Sequence, residues 1–151
     1  MANQSGLEAA EHWPVYADPE GRYSLRRPTD WTVTRESTER TLIKDPGSRA
    51  EIAIEYSIRD CAAAESELRQ RRLNFYLVRE FTRAVGGREA RVFEFRDTIS
   101  NIKDFRTFLP SGAACCELKW AHSAGPDSER FESTLEAMLS TFDFVTHRSQ
   151  G

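Results

Sequence analysis

The segment CCELKWAH, residues 115–122, holds the sharpest local grouping of chemically capable side chains in this chain of 151 residues. Strand alternation puts Cys116, Leu118, Trp120 and His122 on one face. An imidazole beside an indole at a strand end is the composition of a general base at a pocket mouth. His122 falls where the strand gives way to Ser123-Ala124-Gly125, so a solvated edge histidine is the simpler expectation. Trp120 and His122 therefore stand as an alternative pocket, with no catalytic role assigned.

A second grouping is larger. Glu94 and Arg96 alternate with Phe93 and Phe95, Asp104 and Arg106 flank Phe105, and Glu117 and Lys119 flank Leu118. On three neighbouring strands the charges are expected on one common face, to which Phe108 adds an aromatic. Two accounts of such a face compete: an acid/base array at a site, or cross-strand pairs on a solvated surface at roughly 0.2–1 kcal/mol each. For catalysis the second account is preferred. For binding, alternating signs suit partner recognition, where charge placement sets specificity more than affinity. The candidate partner-binding face is thus Glu94, Arg96, Asp104, Arg106, Phe108, Glu117 and Lys119.

Familiar catalytic frames are missing. The sequence has no G-x-x-x-x-G-K-[ST] loop, no G-x-G-x-x-G after a strand, no G-x-S-x-G elbow and no H-E-x-x-H helix. His12, His122 and His147 are scattered, and no Cys or His pair has zinc-site spacing. No catalytic residue, metal or cofactor is assigned. A formal charge of -3 leaves no global footprint for nucleic acid. Arg69, Arg71, Arg72, Arg79 and Arg83 interleave with Phe75, Tyr76 and Phe81, but Arg on an amphipathic helix ordinarily snorkels or pairs with Glu. Trp31 and Trp120 are read as packing residues, Trp13 at the edge of the fold as a cap on a sheet end or an exposed residue, and none of the three receives a ligand.

The start MANQSGLEAAEHW lacks the basic and apolar regions of a secretory signal, and no later stretch nears the ~20 apolar residues of a membrane span. The expected address is cytoplasmic, and Cys61, Cys115 and Cys116 are accordingly expected as free thiols.

These groups need a scaffold. Residues 1–12 read as a loose arm, 13–145 as one domain and 146–151 as a loose tail. Asp18-Pro19-Glu20-Gly21 predicts a hairpin turn, and WTVTRE with RTLIKD a second antiparallel pair. AEIAIEYSI is the clearest strand, with Ile52, Ile54, Tyr56 and Ile58 on one face and Glu51, Ala53, Glu55 and Ser57 on the other. From Asp60, a candidate N-cap, the period turns helical through Cys61, Ala64, Leu68 and Phe75, predicting a helix to about residue 77. Gly86-Gly87 suits a tight hairpin, Pro110-Ser111-Gly112 separates two further strands, and Phe131, Leu135, Met138, Leu139 and Phe142 form the stripe of a closing helix.

The order predicts an α+β fold, an antiparallel sheet flanked by helices in a single-domain α/β sandwich. The spacing of Tyr23, Leu25, Pro28 and Trp31, the segment GGREARVFEF and the terminal FESTLEAMLSTFDF together resemble the PsbP-like superfamily over roughly residues 14–144. That superfamily includes the extrinsic subunit P of photosystem II, a Ran-binding import factor, DcrB-like proteins and type VI effector chaperones. The resemblance implies a binding or assembly role without chemistry. Effector chaperones of this kind hold apolar client helices on their sheet, a use to which the charged face read here is ill suited.

Three functions follow as expectations. The first is a chaperone-like adaptor docking a protein partner. The second is a small-molecule-binding domain or enzyme with a pocket between sheet and helix, and the third self-association into a homodimer through an exposed strand edge. An enzyme should show a recess with convergent polar groups and perturbed protonation, an adaptor a broad shallow patch.

Overall fold

The computed structural model describes residues 10–70, 75–97 and 99–145. The first predicted turn forms as its residue types dictate: Gly21 takes φ +75°, and the Asp18 carboxylate accepts the Arg22 backbone N–H and, at 2.6 Å, its Nε. Strands β1 (Val15–Ala17) and β2 (Tyr23–Arg26) pair antiparallel around it. Strand β10 (Asp143–Phe144) joins the other side of β2, completing a small three-stranded sheet.

The main sheet has seven strands. In chain order they are β3 (Thr32–Arg35), β4 (Arg40–Lys44), β5 (Ala50–Ser57), β6 (Phe75–Val85), β7 (Arg88–Asp97), β8 (Ile102–Ser111) and β9 (Ala114–Ser123). In space they run β3-β4-β5-β9-β8-β7-β6, each pair antiparallel. Helix α1 (Cys61–Gln70) packs against β8 and β9 on one face, and helix α2 (Ser128–Thr141) lies on the other with the small sheet. Gly86 and Gly87 turn β6 into β7 at φ +59° and +75°. A Cβ at Gly86 would also come within 3.3 Å of the Phe142 carbonyl and ring, so this turn closes against the end of α2.

The predicted stripe of α2 is the core. Phe131, Leu135, Met138, Leu139 and the following Phe142 are buried against Ile52, Ile54, Leu118, Trp120 and Phe105 of the sheet. Tyr23 of the small sheet stacks between Tyr56 and Phe142, with ring centroids 5.9 and 5.5 Å away. Apolar burial of this kind is the main favourable term in such a fold.

Several expectations are corrected. The helix predicted from Asp60 to about residue 77 ends at Gln70, and β6 has begun by Phe75. Asp60 does cap its start, accepting the Ala63 N–H at 2.7 Å. The run Phe75-Tyr76-Leu77-Val78 has strand-favouring residue types and finds a partner strand in β7, Phe75 opposite Asp97, which overrides the helical stripe. Ile58, expected beside Tyr56, lies past the end of β5 and is 95% exposed. Cys61 and Cys115 are not free thiols but form a disulfide, and only Cys116, buried, is unbridged. The reading of residues 1–9, 71–74 and 146–151, Arg71, Arg72 and His147 included, lies outside the described residues, and Ala10 of the expected arm is buried.

Candidate functional site

Strand register decides which predicted charges meet. Residues directly opposite across an antiparallel pair share a face, and Arg106 stands opposite Phe93 and Lys119, Phe108 opposite Glu117, and Asp104 opposite Phe95 and Ala121. Asp104, Arg106, Phe108, Glu117 and Lys119 therefore gather on the α1 side of the sheet. Glu94 stands opposite Phe105, and Arg96 opposite Lys103, so both belong to the α2 side. The expected common face of all seven residues is corrected to five. Within each strand the alternation was as read, but the offset between β7 and β8 comes from their connection and inverts the parity.

Glu94 has a structural part instead. Its carboxylate is buried and accepts Arg79 Nε at 2.6 Å across β6 and β7, while the Arg79 guanidinium covers the Phe81 ring at 4.4 Å.

Three of the five, Arg106, Glu117 and Lys119, line a recess of about 250 Å3 beneath the start of α1. Its lining brings Arg106, Glu117 and Lys119 together with Arg40, Glu55, Ser57, Arg59, Ala64 and Cys115. Arg106 donates from Nε to Asp104 at 3.1 Å and holds Nη1 3.6 Å from Glu117. Arg40 donates to Glu36 at 2.6 Å and stands 3.5 Å from Glu55. Glu55 and Glu117 are directly opposite each other, a like-charge pair that destabilises a sheet unless cations flank it. Burial pushes the Glu117 carboxyl above its ordinary range, with Arg106 pulling the other way and Glu55 adding to the rise. At the far side Phe108 meets the buried Phe93 ring edge-on at 6.3 Å.

Arg40, Glu55, Ser57 and Arg59 were not among the predicted site residues. A signal for Glu55 and Ser57 exists in the alternation of AEIAIEYSI, which already places them opposite the core. That β5 neighbours β9 is a long-range fact with no local trace. Chemically the recess offers ion pairing, hydrogen bonding and one carboxyl ready to take a proton. Ser57 is its single hydroxyl, and no histidine lines it.

The alternative pocket at Trp120 and His122 is corrected too. His122 is not a solvated edge residue: it is 1% exposed, stacked against Phe105 and near Phe131 at 6.1 and 6.5 Å. Its Nδ1 lies 2.9 Å from the Ser123 carbonyl, and Nε2 is 4.0 Å from Glu132 of α2. Trp120 is buried and stacked on Phe105 at 5.7 Å. Both side chains belong to the α2 core, although His122 touches a small recess of about 220 Å3 beside Ser48, Arg49 and Ser100. A larger recess of about 530 Å3 lies between Trp13, Trp31, the β4–β5 turn and α2, and none of the predicted site residues lines it.

With this geometry in place the fold class is clear: an antiparallel sheet with a helix on each face, the PsbP-like arrangement. The similar solved structures make it particular. Cyanobacterial PsbP (CyanoP) of Synechocystis sp. PCC 6803 superposes with a TM-score of 0.61 at 11% identity, covering 87% of this chain and 91% of that one. The Ran-binding protein Mog1p of Saccharomyces cerevisiae gives 0.57 at 8% identity, covering 87% and 95%. A protein of Bacteroides thetaiotaomicron VPI-5482 gives 0.59 at 12% identity over 92% of this chain, which spans about half, 51%, of that protein. No protein-family model matches the chain, and no curated protein matches it in sequence. At these identities the likeness establishes the fold. Among the described residues no helix is long and apolar enough to cross a membrane.

Proposed function

We propose that this chain is a non-catalytic accessory domain that docks a protein partner on the α1 side of its seven-stranded sheet. The observation that carries the reading is that Asp104, Arg106, Phe108, Glu117 and Lys119, from two adjacent strands, share one sheet face on which Arg106, Glu117 and Lys119 line a mixed-charge recess. Fixed charges of both signs set which partner fits more than how tightly it binds. Lys119 is the cation to watch, because among the described residues no carboxylate lies within ion-pairing distance of it. Support of a looser kind comes from the neighbours in fold, one of which, Mog1p, is itself a Ran-binding protein. The test is comparative affinity purification from the native host with wild-type and Lys119→Glu baits. A companion held by the first and lost with the second supports the reading.

A second reading keeps the recess as a small-molecule site, favoured by the raised Glu117 carboxyl in a concave polar setting. Its volume of about 250 Å3 is below that of drug-sized pockets, about 300–1,000 Å3, which limits the ligand to a small polar molecule. A companion-free purification together with metabolite-dependent stabilisation would favour it. Self-association would use β6, the 11-residue edge strand on which Tyr76, Leu77 and Val78 are exposed. In a cytoplasmic setting Cys61 and Cys115 would be thiols, so the state of their bridge follows the compartment.

A further inference from the structure

We infer that the Cys61–Cys115 disulfide is a redox latch that holds α1 over the charged recess, and that a dithiol reductant opens it. The bridge joins the first residue of α1 to β9 across 54 residues of sequence, and it forms part of the recess wall through Cys115.

Little else of an apolar kind ties this helix down. Among its described side chains only Ala64 is buried, and Cys61, Glu65 and Leu68 are partly covered. Glu65 pairs with Arg91 and Glu67 with Arg59, contacts of surface type that contribute about 0–1 kcal/mol. The order of α1 therefore depends on being held against the sheet, and the disulfide is the covalent hold. The contrast with α2 is direct, since that helix buries Phe131, Leu135, Ala137, Met138 and Leu139.

The exchange is chemically open at Cys61. Its side chain is partly exposed, whereas Cys115 is 1% exposed. A thiolate of the reductant attacks Cys61 Sγ, the S–S bond breaks, and Cys115 leaves as a thiolate in the wall of a recess that holds the cations Arg40, Arg59, Arg106 and Lys119 and the carboxylates Glu55 and Glu117. The cations of the recess outnumber its carboxylates, a balance that favours the thiolate form and so the departure. The second thiol of the reductant then resolves the mixed disulfide. Two electrons pass to the protein, and the reductant leaves as its own disulfide. Cys116 does not compete, because strand alternation points it into the opposite, α2-side core.

Freed of the bridge, α1 lifts and frays, and the recess opens along Ala53, Glu117 and Arg106. Hydrogen exchange reads this without reference to any partner, so it stands apart from the docking proposal. The full chain is compared oxidised and after treatment with a dithiol, with thiol titration confirming complete reduction. The expected result is exchange about tenfold or more faster across 61–70, with β5 and β9 amides unchanged. The Cys61→Ser, Cys115→Ser double variant should match the reduced protein. Unchanged exchange in 61–70 after full reduction overturns the latch. Loss of protection throughout the sheet overturns it as well, by making the bridge a requirement of the whole fold.

Discussion

Replacing Phe131 by Ala removes the first aromatic of the α2 stripe, and its cost can be worked from the surroundings. The ring is 4% exposed, and a buried Phe→Ala change typically costs about 3–5 kcal/mol. One feature pulls the value to the low end, and another adds little to it. Phe131 borders the recess of about 530 Å3, so water can enter the vacated space and little dry cavity remains. Arg49 and Arg130 sit over the ring at 5.4 and 5.0 Å, but their side chains are 51% and 68% exposed, so the lost cation–π contacts add only about 0.5–1 kcal/mol. The expected loss is about 3 kcal/mol, a fall of roughly 6–12 °C in melting temperature for a domain of this size. Leu135, enclosed on all sides, should lose more for its size when cut to Ala. Urea unfolding followed by tryptophan fluorescence and far-ultraviolet circular dichroism measures both. A Phe131→Ala loss inside about ±0.5 kcal/mol, the range of ordinary surface changes, would refute the packing of α2 against the sheet.

Arg79→Ala strands the buried Glu94 carboxylate. The loss should be about 2 kcal/mol, below the 3–5 of a fully buried pair because Arg79 is 58% exposed, and partner capture should not change; thermal melts and the capture assay check the two halves. For Glu117 the sign follows from its raised pKa, set chiefly by burial. The native state holds that proton more tightly than the unfolded chain, so the stability it contributes is complete below the unfolded value of about 4.3 and is lost as pH rises through the native one. Glu117→Gln should therefore raise the urea midpoint at pH 7 and remove part of the decline between acid and neutral pH; an unchanged or lower midpoint at pH 7 contradicts this. Burial pushes the Cys116 thiol up to about 12, so iodoacetamide should label no cysteine in the native oxidised protein, one after denaturation, and all three after denaturation with reductant, as read by mass spectrometry.

Much of the scaffold is written locally. The alternation of Ile52, Ile54 and Tyr56, the Gly86-Gly87 turn and the stripe from Phe131 to Phe142 each follow from the residues within one element. What local pattern does not carry is the relation between elements. Whether Glu94 shares a face with Asp104 depends on the offset across β7 and β8, a matter of one residue. The bridge between Cys61 and Cys115 depends on α1 crossing β9 after 54 residues, and cysteine spacing alone cannot give that. His122 misled for a related reason. Its strand does end beside it, yet α2 returns to cover the end with Phe131 and Glu132. At Phe75 two patterns conflicted, and pairing with β7 decided for strand.

The docking proposal meets its most direct test at Lys119. Arg106 is the poorer choice for reversal, because it holds the buried Asp104 and the neighbouring Glu117, and a third carboxylate there would disturb the fold itself. Lys119→Glu and a control on the opposite helix, Arg130→Glu, are used as baits beside the wild type, and companions from the native host are quantified by mass spectrometry. The account predicts a companion enriched by the wild type and by Arg130→Glu and lost with Lys119→Glu, all three baits keeping the same circular dichroism. Equal enrichment by all three, or loss with Arg130→Glu alone, contradicts it.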